Sequence, residues 1–115
     1  MDGEINEIHD PYIAKALLVK LGERVLPIFC YDVDWQKGDY YGIQIRPFNS
    51  NRDDIESKWI VYIGSEGLKS DSVAMPNRRF IFKENDIVRI LGFIGYVKLN
   101  EARQKVDRLD KVDNF

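Results

Sequence analysis

The chain is poor in the side chains that carry most enzyme chemistry. It holds one histidine, His9, and one cysteine, Cys30, in 115 residues. A lone cysteine cannot close an internal disulfide, and its neighbours Ile28 and Phe29 mark it as a small buried hydrophobe of a reducing compartment. Zinc centres want several His or Cys ligands, and histidine–carboxylate catalysis wants an imidazole beside an acid, so both lack parts here. No metal and no other cofactor is expected. Excess base is missing too: 17 Lys and Arg stand against 19 Asp and Glu. That balance argues against a domain that grips duplex DNA by neutralising phosphates. No run approaches the roughly 20 apolar residues of a membrane helix. The opening MDGEINEIHD is acidic where a secretory signal is basic and then apolar, so the cytoplasm is the expected compartment and no membrane partner is expected. There is no internal repeat and no low-complexity stretch.

What is present is a globular balance, 44% apolar and 31% charged residues, in a length that suits one core. We expect a single α+β domain over residues 1–115, with 1–9 an acidic, flexible N-terminus and 64–78 a long surface loop. Asp10 as N-cap, Pro11 at the first helical position and Gly22 as a left-handed stop predict a helix from Pro11 to Leu21. Ile13, Ala14, Leu17, Leu18 and Leu21 then form its apolar face, with Ile5 and Ile8 docked near its start. A strand is expected over 24–35, its early part at a sheet edge or strand start because Pro27 cannot donate to a ladder. Alternation puts Phe29, Tyr31, Val33 and Trp35 on one side of it, and Cys30, Asp32 and Asp34 on the other. The Gln36-Lys37-Gly38-Asp39 turn joins it to a strand over 40–48 as a hairpin. Trp59 to Ile63 is apolar on both faces and reads as the central strand. Arg79 to Lys83 is a strand with Phe80 and Phe82 on one side. Asn85 to Leu91 fits a helical turn and a strand equally. Phe93 to Val97 is a short strand, and a closing helix runs from Asn100 to Val112. Ala102, Val106, Leu109 and Val112 are its buried stripe, with Glu101–Lys105 and Asp107–Lys111 as i,i+4 pairs. Together these make an antiparallel sheet of four to six strands, flat or half-open like a barrel, with an N-terminal and a C-terminal helix.

Several stretches imitate functional motifs. Gly64-Ser-Glu-Gly67-Leu-Lys69-Ser70 approaches a phosphate loop, but Leu68 separates glycine from lysine and no helix pattern follows. The same Gly64 to Gly67 has the spacing of a KH-type clamp, in which Glu66 would repel phosphate. Gly92 to Val97 resembles the aromatic strand of an RNA-recognition motif with one residue too many between its glycines. These glycines read as turn residues. Asp32 and Asp34 share one side of a strand and are close enough in spacing to meet a divalent cation. Glu56-Ser57-Lys58 has the spacing of a nuclease E-x-K, with Asp39 or Asp34 as partner; a solvated face explains these acids better. Trp35, Tyr40 and Tyr41 bracket a hairpin turn beside Asp32, Asp34 and Lys37, the composition of an interface hot spot. Alternation assigns Trp35 and Tyr41 to the core and turns Tyr40 outward. Arg46, Arg78 and Arg79 are candidates for a basic patch.

The strand pair followed by Gly95-Tyr96-Val97-Lys98-Leu99 and a charged helix is similar to the end of MazF/PemK-type toxins, and Arg46-Pro47 is similar to the Arg-Pro dipeptide near that family's start. The chain lacks the Gly-Ser-Glu loop that precedes the dipeptide there, and its expected first helix stands where the family begins with a strand. The resemblance implies a small barrel that cuts RNA, with Arg46, Arg78 or Arg79 stabilising a phosphorane-like transition state. The residues by themselves favour a different class. The missing catalytic parts, the acidic N-terminus and the aromatic–acidic hairpin point to a non-catalytic domain that occupies a protein partner, as an inhibitor, an immunity protein or a phage-encoded antagonist does. Its contacts would come from Asp32, Asp34, Trp35, Lys37, Tyr40, Arg46, Arg78 and Arg79. A sheet-surface binder of single-stranded RNA, stacking bases on Tyr40 or Phe93, is the third expectation.

Overall fold

The computed structural model describes residues 9–113, so the acidic segment before His9, with Ile5 and Ile8, lies outside the described residues. The elements run β1 (Lys15–Leu21), β2 (Arg24–Asp34), β3 (Asp39–Pro47), β4 (Val61–Gly64), β5 (Ser72–Phe82), β6 (Ile87–Phe93) and α1 (Tyr96–Asp113), with a single 3-10 turn at Glu84–Asp86 before β6. All six strands form one sheet in the order β4-β5-β3-β2-β1-β6, and every neighbouring pair is antiparallel. The sheet is open. The α1 helix packs across β5, β4 and β2, burying Leu99, Ala102, Val106 and Leu109. No helix among the described residues is long and apolar enough to cross a membrane.

The expected first helix is a strand. Ile13, Ala14, Leu17, Leu18 and Leu21 do recur at helical spacing, but Ala16, Leu17 and Val19 are all fully buried. That burial follows from position: β1 lies between β2 and β6 and is covered on both faces, so its sequence is nearly continuous in apolar residues and carries no clean period. Asp10 does cap, but it caps a turn. Its Oδ1 accepts the backbone N–H groups of Tyr12 at 2.8 Å and Ile13 at 3.3 Å. Ala14 follows with φ +68, left-handed for a residue with a Cβ. It is held there from two sides: its N–H donates to Cys30 O at 3.0 Å, and its carbonyl accepts from Ile94 N at 2.9 Å and Gly95 N at 3.2 Å.

Three other expectations change. Trp59 to Ile63 was expected at the centre of the sheet, yet β4 is an edge strand, and its Val61 and Ile63 are buried because the helix lies over that edge. The 64–78 loop is half as long as its composition implies, since β5 begins at Ser72. Pro76 hid it. The β3–β5 register jumps from Ile43↔Arg79 to Gln44↔Met75, so Pro76, Asn77 and Arg78 form an irregularity where a missing N–H breaks no ladder bond. The Asn85–Leu91 ambiguity resolves into both options, a 3-10 turn and then β6. The strand expected over 93–97 is the end of β6 followed directly by α1, which begins at Tyr96. The hairpin is as expected, and the β3 ladder of β2 starts only at Ile28, leaving Pro27 at a locally free edge. Glu101 and Lys105 pair at 3.1 Å.

The two edges of the sheet approach each other through the turn after β4. Gly67, at φ +71, lies so close to β6 that an added Cβ would sit 2.0 Å from Leu91 O. Gly22, at φ +66 in the β1–β2 turn, has open space where its Cβ would be. Gly22→Ala should therefore cost about 1 kcal/mol of unfolding free energy, the conformational term alone. Gly67→Ala should cost at least about 2 kcal/mol, because it also separates the turn from β6; urea denaturation measures both.

Candidate functional site

The hairpin expected to form an interface is organised inward, around Asp10. Asp10 is 9% exposed, and its Oδ2 accepts Trp35 Nε1–H at 3.0 Å and the Tyr40 hydroxyl at 2.9 Å. Four donors thus satisfy one carboxylate without a cation. Tyr40, expected to face solvent, is 7% exposed, stacked on Phe82 at 6.0 Å and edge-on to Tyr12 at 5.3 Å. Burial, then the bond to Asp10, pushes its hydroxyl pKa well up. Trp35, expected in the core, is 41% exposed. Trp35 lies past the end of β2, in the turn; within the strand, β2 pairs Cys30 with Gly42 but Asp32 with Tyr41, so Tyr31 is an extra residue in the ladder.

The remaining hairpin residues are held locally. Asp34 Oδ1 accepts Gln36 N–H at 3.1 Å and Lys37 N–H at 3.4 Å, which makes an Asx turn. Asp32 Oδ1 accepts Val33 N at 2.9 Å. The Lys37 carbonyl receives Lys83 Nζ at 2.7 Å, and Lys83 also pairs with Asp39 at 2.5 Å. Among the described residues no group of three or more His, Cys, Asp and Glu is gathered as a metal site. His9 is exposed. Cys30 is buried, and burial pushes its thiol pKa far above the ordinary range.

The three arginines do not make one patch. Arg46 makes a bidentate pair with Asp53, 2.8 and 2.7 Å, and Asn49 N–H adds a third bond to the same carboxylate at 2.8 Å. The Arg46 guanidinium first, and the Asn49 N–H second, hold the Asp53 carboxyl well below the usual carboxylate range. This clamp orders the connection after β3. Arg79 pairs with Asp110 of α1, and Arg78 is exposed on the β5 irregularity.

Two of the concavities among the described residues differ sharply in character. One, about 370 Å3, is floored by Leu18, Pro27, Ile45, Leu68 and Leu91 and rimmed by Arg46, Lys69, Ser70 and Arg89. The other, about 480 Å3, lies between α1 and the sheet and is walled by Tyr31, Tyr41, Phe80, Ile81 and Val106, with Asp32, Asp107, Asp110 and Arg79 around it. They share no residue. Arg46 is committed to Asp53, whereas Arg89 and Lys69 have no ion-pair partner among the described residues. Sequence reasoning passed over Lys69, Ser70 and Arg89 as site residues. The signal for the first two was the Gly64–Ser70 stretch, set aside as a phosphate loop; here it supplies one cation, Lys69, and the Ser70 hydroxyl through an ordinary turn. Arg89 lies in the Asn85–Leu91 segment, to which the sequence assigned no single conformation.

No protein-family model matches the sequence, and no curated protein matches it. Solved structures do resemble it. An endoribonuclease from a mycobacterial species, in complex with its cognate antitoxin, is 13% identical with a TM-score of 0.65, over 84% of this chain and 91% of that one. The Mycobacterium tuberculosis toxin MazF-mt6 is 11% identical with a TM-score of 0.63, over 82% of this chain and 93% of that one. A further M. tuberculosis toxin is 11% identical with a TM-score of 0.61, over 82% and 98%. At these identities the likeness is one of fold: the chain has the fold of MazF-type toxins.

Removing the Asp10 carboxylate should be costly. Asp10→Ala leaves a buried Tyr40 hydroxyl, the Trp35 indole N–H and two turn N–H groups without their acceptor, and should lose about 2–4 kcal/mol of stability in urea. Tyr40→Phe removes one donor and should lose about 1 kcal/mol. Acid should loosen the Arg46 clamp. Because the folded Asp53 pKa is depressed, its contribution is present above the unfolded value of about 3.9 and is lost as pH falls below it. Asp53→Asn should lower the melting temperature at pH 7 and flatten its decline between about pH 5 and pH 2.

Proposed function

We propose that this chain acts on RNA as a toxin-type, metal-independent endoribonuclease, with the cavity rimmed by Arg46, Lys69, Ser70 and Arg89 as the place where a nucleotide is held. The observation that carries the reading is the pairing of uncommitted cations with an apolar floor, in a fold shared with an endoribonuclease. An apolar floor of Leu18, Pro27, Ile45 and Leu91 accepts the face of an unstacked base, and Arg89 and Lys69 meet the phosphate beside it.

The chemistry explains how a chain with so few nucleophiles can cut a strand. RNA carries its own nucleophile. The 2′-hydroxyl attacks the adjacent phosphorus, the P–O5′ bond breaks, and the proton lost from the 2′-oxygen is balanced by one gained at the 5′-oxygen. What the protein must supply is orientation and positive charge against the phosphorane-like intermediate stage. Arg89 is free to do so. Arg46, fixed by two bonds from Asp53, is a rigid donor at the rim whose charge is largely offset. Arg78 and Arg79, offered by the sequence for this role, lie outside the cavity.

A protein partner belongs to the same proposal, since the endoribonuclease of like fold is held by an antitoxin. The narrower inhibitor, immunity and phage-antagonist expectations rest on the sequence alone.

The reading is tested with end-labelled single-stranded RNA in low salt and excess EDTA. Cleavage should persist in the chelator, and Arg89→Ala should lower its rate at least about 10-fold without changing the melting temperature. Salt-sensitive binding without cleavage would leave an RNA binder and remove the catalysis. Neither binding nor cleavage would remove the reading entirely.

A further inference from the structure

The concavity between α1 and the sheet is chemically the opposite of the RNA-facing one. Tyr31, Tyr41 and Phe80 supply aromatic walls, and Ile81, at 60% exposed, extends the apolar surface outward. Burial raises the Tyr31 hydroxyl pKa to about 12, so that wall is neutral at any physiological pH. Around the walls stand Asp32, Asp107 and Asp110 with Arg79. A second hollow of about 350 Å3 continues from it past Tyr31, Asp32 and Asp107 to Arg103.

The charges are not equivalent. Asp110 is paired with Arg79. Arg103 donates its Nε–H to the Tyr31 carbonyl at 2.8 Å, which fixes it against the bulge of β2. Among the described residues the Asp32 carboxylate accepts one backbone N–H, at 2.9 Å. Asp107 makes no hydrogen bond or ion pair among the described residues; the expected pair with Lys111 is not formed. Two carboxylates with no ion pair among the described residues thus line one aromatic groove, one from the strand and one from the helix, with Arg103 at its far end. A guanidinium or ammonium placed between them would gain charge-assisted bonds and lie against tyrosine faces. An RNA phosphate would be repelled by both.

We propose that this groove docks a basic segment of a partner protein, an extended or helical stretch that places an arginine or lysine between Asp32 and Asp107 and packs an apolar neighbour on Ile81. The proposal goes beyond the RNA reading and does not depend on it, because the two cavities share no residue. A partner seated here leaves the cationic cavity open, so occupation of one site need not block the other.

The test uses the full-length, 15N-labelled protein and a capped peptide, acetyl-Gly-Leu-Arg-Leu-Arg-Gly-amide, with acetyl-Gly-Leu-Glu-Leu-Glu-Gly-amide as its counterpart. Titration with the basic peptide should shift the amide resonances of Asp32, Ile81, Asp107 and Asp110, and the acidic peptide should not. The Asp32→Asn, Asp107→Asn double variant changes two side chains that hold no other element, so it should keep the wild-type melting temperature while weakening the peptide at least about 5-fold. Raising salt should weaken the wild type more than the variant. Equal shifts from both peptides, shifts centred on Arg46 and Arg89, or shifts at the groove from a single-stranded oligonucleotide would each overturn the proposal. RNA cleavage measured on the same samples should be unaffected by the double variant. The fate of the RNA reading is thus read separately, through Arg89→Ala.

Discussion

One buried carboxylate ties the start of this fold to its hairpin. Asp10 sits where the chain enters the sheet, and its two oxygens reach in different directions: Oδ1 to the backbone of the turn that launches β1, Oδ2 to Trp35 and Tyr40 at the β2–β3 hairpin. A carboxylate without a cation is tolerated at this depth because all its acceptor capacity is used by well-placed donors. The consequences spread outward. Tyr40 is pulled inward onto Phe82, which fixes the face that β3 presents to β5. The turn delivers Ala14 in a left-handed conformation, and the Ala14 carbonyl then receives Ile94 and Gly95, just ahead of the first turn of α1. The position of the helix, and hence the groove beneath it, is set in part by that turn.

Bulges decide what the sequence could and could not disclose. The β2–β3 hairpin was legible from its turn residues, and the Phe80–Phe82 strand and the buried stripe of the last helix from a local period. Trp35 and Tyr40 were read on the wrong faces because alternation fails at this hairpin: Tyr31 is an extra residue in β2, Trp35 lies past the end of that strand, and Tyr40 and Ile43, on opposite faces of β3, are both buried. Nothing in the letters Phe-Cys-Tyr-Asp-Val-Asp announces that insertion; it is imposed by the partner strand. Pro76 concealed β5 for a related reason, as a proline inside a strand reads as a break unless the register is known to skip there. The β1 segment failed differently. An N-cap, a helix-starting proline and a terminal glycine all bracket it, but those signals are local, and burial on both faces between β2 and β6 outweighs them.

The site was half legible for a physical reason as well. Which arginine is available depends on which carboxylates come near it, and that is a tertiary fact. Arg46 looked like a free base beside a proline; Asp53, only seven residues on, occupies it with two bonds. Arg79 looked like a surface arginine and is bound to Asp110, 31 residues away. Arg89 was not read as a site residue because its segment had no settled conformation, yet β6 carries it to the rim beside Lys69.

Closing the sheet only part of the way is what separates the two concavities. The turn at Gly67 touches β6 closely enough to bring Leu68, Lys69 and Ser70 over the floor formed by Leu18, Ile45 and Leu91, so the cationic hollow exists only because the sheet curls. The helix, arriving from the other end of β6, covers β4, β5 and β2 and leaves Ile81 exposed and Tyr41 half-buried beside the buried Tyr31. Charge then sorts by element. Bases gather where turns and β6 meet, and unpaired acids gather where α1 runs past the β2 bulge. A net charge near zero, uninformative when taken over the whole chain, is the sum of two opposed surfaces that the sheet's curvature and the helix keep apart.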